Sequence, residues 1–234
     1  MPGFISGRGL EELQEKVDRF LLEIAPGLPK ERVFYEDKND PSSLKQIQQL
    51  GNHDPWFRSL LLDSPLRALA EKLLGGPVLP KNLQYFCKPP QLGKATPPHQ
   101  DGFYFMLDPC EAVTMWLALD EVDAENGCVR YVEGSHRQGI RKHCRTETLG
   151  FSQGIADYPS PEDRKSERAI PASPGDLLAH HALTIHRADA NQSHSRTRRA
   201  IGFIYYSERA REDTVAHAAY QRKLVEEMQA AEKI

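Results

Sequence analysis

Apolar positions in the first third of the chain recur with helical spacing, and after residue 77 the spacing changes. In "SGRGLEELQEKVDRFLLEIAPG", Leu10, Leu13, Val17, Phe20, Leu21 and Ile24 fall on one helical face, and Pro26-Gly27 stops the run. "DPSSLKQIQQLGNHDPWFRSLLLDSPLRALAEKLLGGP" predicts two or three short helices, with Asp54-Pro55 and Ser64-Pro65 as starts and Gly75-Gly76-Pro77 as the close. From Val78 the runs become short and rich in strand formers: "VLPKNLQYFCKPP", "GFYFML", "AVTMWLALDEV", "CVRYVEGSH", "GDLLAHHALTIHRA" and "RRAIGFIYYSE". Asp123-Ala124-Glu125-Asn126-Gly127 reads as a hairpin turn between two of them. "DTVAHAAYQRKLVEEMQAAEKI" closes the chain as a helix. Helices followed by antiparallel strands predict an α+β fold with a sandwich or barrel core. With no boundary signal the chain reads as a single domain over 1–234, with a helical part at 1–77, a strand core at 78–207 and a C-terminal helix at 211–234.

Composition narrows the classes of function. The chain has 234 residues, 39% hydrophobic and 27% charged, as an ordinary globular protein does. A net charge of −3 gives no basic excess for a nucleic-acid partner. No apolar run approaches the roughly 18 residues of a membrane span, and "MPGFISGRGLEEL" has no apolar core of a signal peptide. Cys87, Cys110, Cys128 and Cys144 form no CxxC and read as reduced thiols in a cytoplasmic protein. The polar stretch from Arg141 to Pro174, with "YPSPEDRKSER" in its middle, reads as a long loop. It is either a surface insertion or, over 141–168, a substrate lid.

Candidate chemistry starts at "PPHQDGFYF", residues 97–105. In an extended chain His99 and Asp101, at i and i+2, share one face of a sheet. A metal site needs a third ligand, and His180, His181 and His186 are the candidates. Strand alternation puts His186 on the face of Thr184, Ala182 and His180, with His181 opposite, so His180 and His186 both remain open. The polar turn "DANQSHS" then leads to Thr197-Arg198-Arg199, and a hairpin there returns an arginine to the depth of His186. Arg198 shares its face with the small residues Ala200 and Gly202, Arg199 with Ile201 and Phe203. Two imidazoles and one carboxylate on one face of an octahedral metal form the triad of non-heme Fe(II) oxygenases, with three positions left for a 2-oxo acid and O₂. A cosubstrate with a distal carboxylate needs a fixed cation, and the planar fork of arginine suits it.

"PPHQDGFYF", "VTMWLALDEVDAENGCVRYVEGSHRQG", "PGDLLAHHALTIHRADANQS" and "RRAIGFIYY" resemble the phytanoyl-CoA dioxygenase family of Fe(II)/2-oxoglutarate-dependent oxygenases. The resemblance is strong over 78–206 and looser over the helical part. It implies a double-stranded β-helix (jelly-roll) core with the N-terminal helices packed on one sheet. It makes His99, Asp101 and His186 the iron ligands and Arg198 the clamp for the far carboxylate of 2-oxoglutarate, and places Trp116 and Asn82 or Gln84 along the cosubstrate pocket. It implies hydroxylation of a small molecule, with Fe(II), 2-oxoglutarate and O₂ required and ascorbate as a reductant. Asp101 occupies the position where halogenases carry a small residue. Three departures stand out. His186-Arg187-Ala188 replaces the usual small residue and serine, which adds a cation at the pocket edge. The gap from His186 to Arg198 is one residue longer than expected, which keeps Arg199 open as the clamp. The strand usual before the first helix is missing, so either the fold manages without it or the start of the chain is cut short. A metal-keeping sensor and a zinc hydrolase on the same three residues are the competing readings. His136 and His194, in turn-like segments, have no expected role.

Overall fold

The computed structural model describes residues 1–146, 148 and 152–230. Its first helix, α1 (Arg8–Arg19), continues through a π turn at Phe20–Ile24 and a 3₁₀ turn that ends at Gly27. Two short strands come next, β1 (Val33–Tyr35) and β2 (Leu44–Ile47). They correct the expectation of a helical part over 1–77 with no strand assigned in it. A four-residue strand is too short for periodicity to identify, and its extended form is held by distant pairing, Gln46 with Phe86 and Ile47 with Tyr85. The expected helix starts are present. The Asp54 carboxylate accepts from the Trp56 and Phe57 N–H groups at the head of α2 (Pro55–Asp63), and the Ser64 hydroxyl accepts from Leu66 N–H at the head of α3 (Pro65–Leu74). Gly75, at φ +69°, ends α3.

β3 (Val78–Lys88) begins the strand core, and β4 (Thr96–His99) follows. The chain then departs from expectation. Asp101–Phe105 is a helical turn, α4, rather than part of a strand. Its entry is fixed by tertiary bonds. The buried Gln100 side chain donates to Gly139 O and Leu183 O and accepts from Arg141 N–H, and Gly102 N–H donates to Ala182 O at 2.8 Å. Those bonds override the strand propensity of Phe103-Tyr104-Phe105. β5 (Leu107–Asp108) leads to the fully buried β6 (Ala112–Ala118), and the Asp123–Gly127 turn to β7 (Val129–Val132). β6 and β7 are not a hairpin. They belong to different sheets, and the turn crosses between them, with Asn126 donating to Glu121 O and Thr197 O.

The 141–174 stretch is built rather than loose. It holds β8 (His143–Arg145), β9 (Gln153–Ile155), α5 (Pro161–Ser166) with a reciprocal Ser160–Asp163 cap, and β10 (Glu167–Ile170), which pairs with β7. Residues 147 and 149–151 of the expected lid lie outside the described residues. β11 (Leu177–His181) and β12 (His186–Ala188) are likewise two strands in two sheets instead of one continuous strand, and β12 does not pair with β13 (Arg198–Ser207). β14 (Arg211–Glu212) pairs with β5, so the C-terminal helix, α6 (Thr214–Ala230), starts after the expected residue 211, and residues 231–234 lie outside the described residues.

The large antiparallel sheet runs β1-β2-β3-β13-β6-β11 and the smaller runs β10-β7-β12-β4, the facing sheets of a jelly roll. Alternation decides what each face of the large sheet meets. Leu83, Tyr85, Met115, Leu117, Ile201, Phe203 and Tyr205 form one core with Leu13, Val17 and Phe20 of the first helical segment, Phe57 and Leu61 of α2, and Leu66 of α3. The residues between them, Gln84, Phe86, Trp116, Arg198, Gly202 and Ile204 among them, face inward and line a cavity. Among the described residues no helix is long and apolar enough to cross a membrane.

Candidate functional site

His99 ends β4 and His186 begins β12, and the two are register partners in the small sheet, with ring centroids 4.2 Å apart. Asp101 reaches them from the first turn of α4. Its Oδ1 lies 3.6 Å from His99 Nε2 and 3.7 Å from His186 Nε2, and the three donor atoms fall within 4.8 Å of one another. A bend after His99, not the strand alternation expected from their i, i+2 spacing, brings His99 and Asp101 together. Each histidine is oriented from behind. His99 Nδ1 lies 2.8 Å from Pro97 O and His186 Nδ1 3.0 Å from Thr184 O. A carbonyl only accepts, so both Nδ1 atoms carry hydrogen, and both Nε2 atoms are turned toward Asp101. Burial pushes the His186 imidazole well below its ordinary range, so at neutral pH it offers a lone pair rather than a proton. Burial alone would raise Asp101. The surrounding imidazoles of His186, His180 and His99 outweigh it and hold the carboxyl well below the usual range. Two imidazoles and one carboxylate, pre-aimed at a common point, suit a divalent transition metal.

Arg198 lines the same cavity. It is 4% exposed, its guanidinium lies over the Trp116 ring at 5.2 Å, and its Nε donates to Gly127 O at 3.2 Å. No carboxylate of the described residues forms an ion pair with it, and burial pushes its guanidinium down to about 10. Arg199 is the opposite case. It points to the helix side, where Asp120 and Asp18 each approach within 2.9 Å. The small residue Gly202 lets Phe86 lie across β13, since a Cβ there would come within 2.7 Å of its ring. Gln84 accepts from Gln46 at 2.6 Å and Asn82 accepts from Gln49 N–H at 3.0 Å, and both line the cavity.

His180, open as a ligand from alternation, sits in the large sheet and bonds the other oxygen of Asp101. His181 accepts from Leu183 N–H, and neither it, His136 nor His194 lines the cavity. Arg187 adds no free cation at the edge: Glu167 holds it through two 2.7 Å bonds, and Asp189 at 2.5 Å. Sequence reasoning missed Lys45, which is buried and paired with Glu36 at 3.2 Å, and Lys88, whose amine burial pushes well below its ordinary range. Lys45 went unseen because β2 did. The C-terminal helix was expected, but not its place: α6 brings Tyr220, Leu224 and Met228 to the cavity wall. Tyr220 is tied to Ser152 by a 2.5 Å hydroxyl contact and stacks edge-on with Tyr104. The cavity measures about 830 Å³, room for a cosubstrate and a second molecule.

Residues 1–200 match the sequence model of the phytanoyl-CoA dioxygenase (PhyH) family. The chain belongs to this family. A "Phytanoyl-CoA dioxygenase" of Arabidopsis thaliana is 32% identical over 182 residues, 71% of this chain and 62% of that protein. The chain thus spans about three-fifths of the length of the curated relatives it matches. Among solved structures, the non-heme α-ketoglutarate-dependent carbocyclase SnoK of nogalamycin biosynthesis is 26% identical, with TM-score 0.72 over 94% of this chain and 84% of that one. EvdO2 from Micromonospora carbonacea var. aurantiaca, solved with 2-oxoglutarate, is 26% identical, with TM-score 0.69 over 92% and 87%.

Proposed function

We propose that this chain is an Fe(II)- and 2-oxoglutarate-dependent oxygenase that hydroxylates a small molecule. His99, Asp101 and His186 would hold the iron, and Arg198 the distal carboxylate of 2-oxoglutarate. One observation carries the reading: a single cavity is lined both by a three-donor face and by a buried arginine to which no carboxylate is paired among the described residues. Bound Fe(II) supplies the coupling of two oxidations by O₂, 2-oxoglutarate to succinate and CO₂ and a substrate C–H bond to C–OH. The rest falls to the protein. Asp101 offsets one of the two metal charges, and Arg198 adds a second positive pole, so the cavity suits a dianion with carboxylates at both ends. Trp116 holds the guanidinium plane, and Gln84 and Asn82 lie farther along the same wall, opposite Gly202 and Ile204. Tyr104, Tyr220, Leu224 and Met228 add aromatic and apolar surface to the cavity against which a substrate can pack. The solved relatives support the cosubstrate, since EvdO2 is complexed with 2-oxoglutarate. A carboxylate at position 101 favours hydroxylation over halide transfer. Free thiols at Cys87, Cys110, Cys128 and Cys144 fit a reducing cytoplasm, and the net charge of −3 fits a small-molecule partner.

The test is succinate formation from 2-oxoglutarate, with Fe(II) and ascorbate, across a metabolite panel. Slow succinate release without substrate is expected, rising when the correct metabolite is added. Failure of metal-loaded protein to bind 2-oxoglutarate in calorimetry would overturn the reading in favour of a sensor or a zinc hydrolase.

A further inference from the structure

Asp101 stands on a helical turn, outside both sheets, so no ladder of backbone bonds fixes the direction of its carboxylate. Its far oxygen is nevertheless held twice. Oδ2 accepts from Thr114 Oγ1 at 2.6 Å and lies 3.1 Å from His180 Nε2. Thr114 and His180 are direct cross-strand partners on β6 and β11 of the large sheet, whereas His99 and His186 come from the small sheet. The carboxylate therefore bridges the two layers, one oxygen to each.

Behind His180 stands a second hydroxyl. Tyr131 Oη lies 3.0 Å from His180 Nδ1, and Tyr131 is the β7 register partner of His186. An ionised carboxylate only accepts, so His180 Nε2 carries a hydrogen. In a neutral imidazole Nδ1 then accepts, and the phenol donates to it. The direction of the chain is Tyr131 to His180 to Asp101. Neither His180 nor Tyr131 is among the three clustered donors, yet both line the cavity.

We propose that His180, its tautomer set by Tyr131, is a positioning residue that fixes Asp101 Oδ2 and leaves Oδ1 alone for the metal. The proposal rests on the reading of His99, Asp101 and His186 as iron ligands. A carboxylate free to turn could engage a metal through both oxygens and consume a position that the cosubstrate needs. With Oδ2 occupied by two donors, that mode is closed. Thr114 alone does not do this, because a hydroxyl rotates about its bond. The planar His180 ring, set between Tyr131 and His186 with centroids at 5.1 and 4.3 Å, has one direction in which to donate. Outer partners of this kind typically change metal affinity by about 10–100-fold when removed.

The experiment uses the full chain and Co(II) as a spectroscopic stand-in for Fe(II), read by chelator competition and by visible absorption before and after 2-oxoglutarate. His180→Leu, which keeps bulk and loses the donor, should weaken Co(II) by about 10–100-fold and change the band intensity that reports coordination number. His180→Gln places an amide N–H near the position of Nε2–H and should restore both readouts to within a few-fold. His180→Asn, one bond shorter, should not. Tyr131→Phe should leave folding intact and shift the spectrum in the direction of His180→Leu. Wild-type affinity and spectrum in His180→Leu, or equal behaviour of the Gln and Asn variants, would overturn the proposal. Wild-type Co(II) affinity in His186→Ala would instead overturn the ligand assignment beneath it.

Discussion

His186→Ala is expected to leave the purified protein without stoichiometric Fe(II), and Asp101→Ala and His99→Ala should do the same. The three donors converge within 4.8 Å, and each histidine is tied at Nδ1 to a backbone carbonyl. Two remaining donors cannot enclose one face of an octahedral ion, and the neighbouring His180 has its Nε2 engaged with Asp101 Oδ2. The loss should exceed the roughly 10–100-fold that removal of an outer partner costs. Asp101→Ala carries a further penalty, since Thr114 and His180 then have no acceptor for their buried hydrogens. Anaerobic Fe(II) titration with metal analysis measures all three. His136→Ala and His194→Ala should bind one equivalent as the parent does. If His186→Ala retained iron while His180→Ala lost it entirely, the ligand set would be wrong.

Arg198→Ala should weaken 2-oxoglutarate by two to three orders of magnitude while iron binding survives. Removal of one partner from a desolvated pair costs roughly 3–5 kcal/mol, because the other charge is left buried alone, and about 1.4 kcal/mol corresponds to one decade. Arg198→Lys should recover only part of the affinity, since a point charge cannot supply two parallel bonds to a carboxylate. Arg199→Ala should change cosubstrate affinity only a few-fold. Its guanidinium serves Asp120 and Asp18 on the helix side, so its loss should appear as a lower melting temperature. Calorimetry on metal-loaded protein separates the two, and reversed effects would move the clamp to Arg199.

Local signals were legible in the sequence because local physics sets them. Asp54 and Ser64 cap helices through bonds that span two or three residues, and alternation along β13 separates Arg198 from Arg199 without any knowledge of the fold. Signals made by distant pairing were not. Phe103-Tyr104-Phe105 has strand propensity, but Gln100 and Gly102 bind Gly139, Leu183 and Ala182 and wind it into a turn. Parity could not separate His180 from His186, because it assumes one strand where the chain changes sheets between Ala182 and Ile185. Lys45 and Gln46 gave no sign of an inward-facing strand, since four residues fit either period. The polarity of 141–174 suggested a loop, yet its charges are partly internal, as in Arg141 with Asp157 and Asp163.

Arg198 also has a bearing on how long the protein survives. A guanidinium at 4% exposure, with no paired carboxylate among the described residues, favours the unfolded chain, where water solvates it. A ligand that binds only the folded form adds RT ln(1 + [L]/Kd), about 2.7 kcal/mol at a hundredfold excess over Kd, a sizeable share of the roughly 5–15 kcal/mol that holds a domain together. With Arg198 as the proposed clamp, the cellular supply of 2-oxo diacid would set the lifetime of the protein as well as its rate of turnover. A cell depleted of that acid should hold less of the protein at unchanged synthesis, and Arg198→Leu should be the variant whose abundance no longer follows the supply.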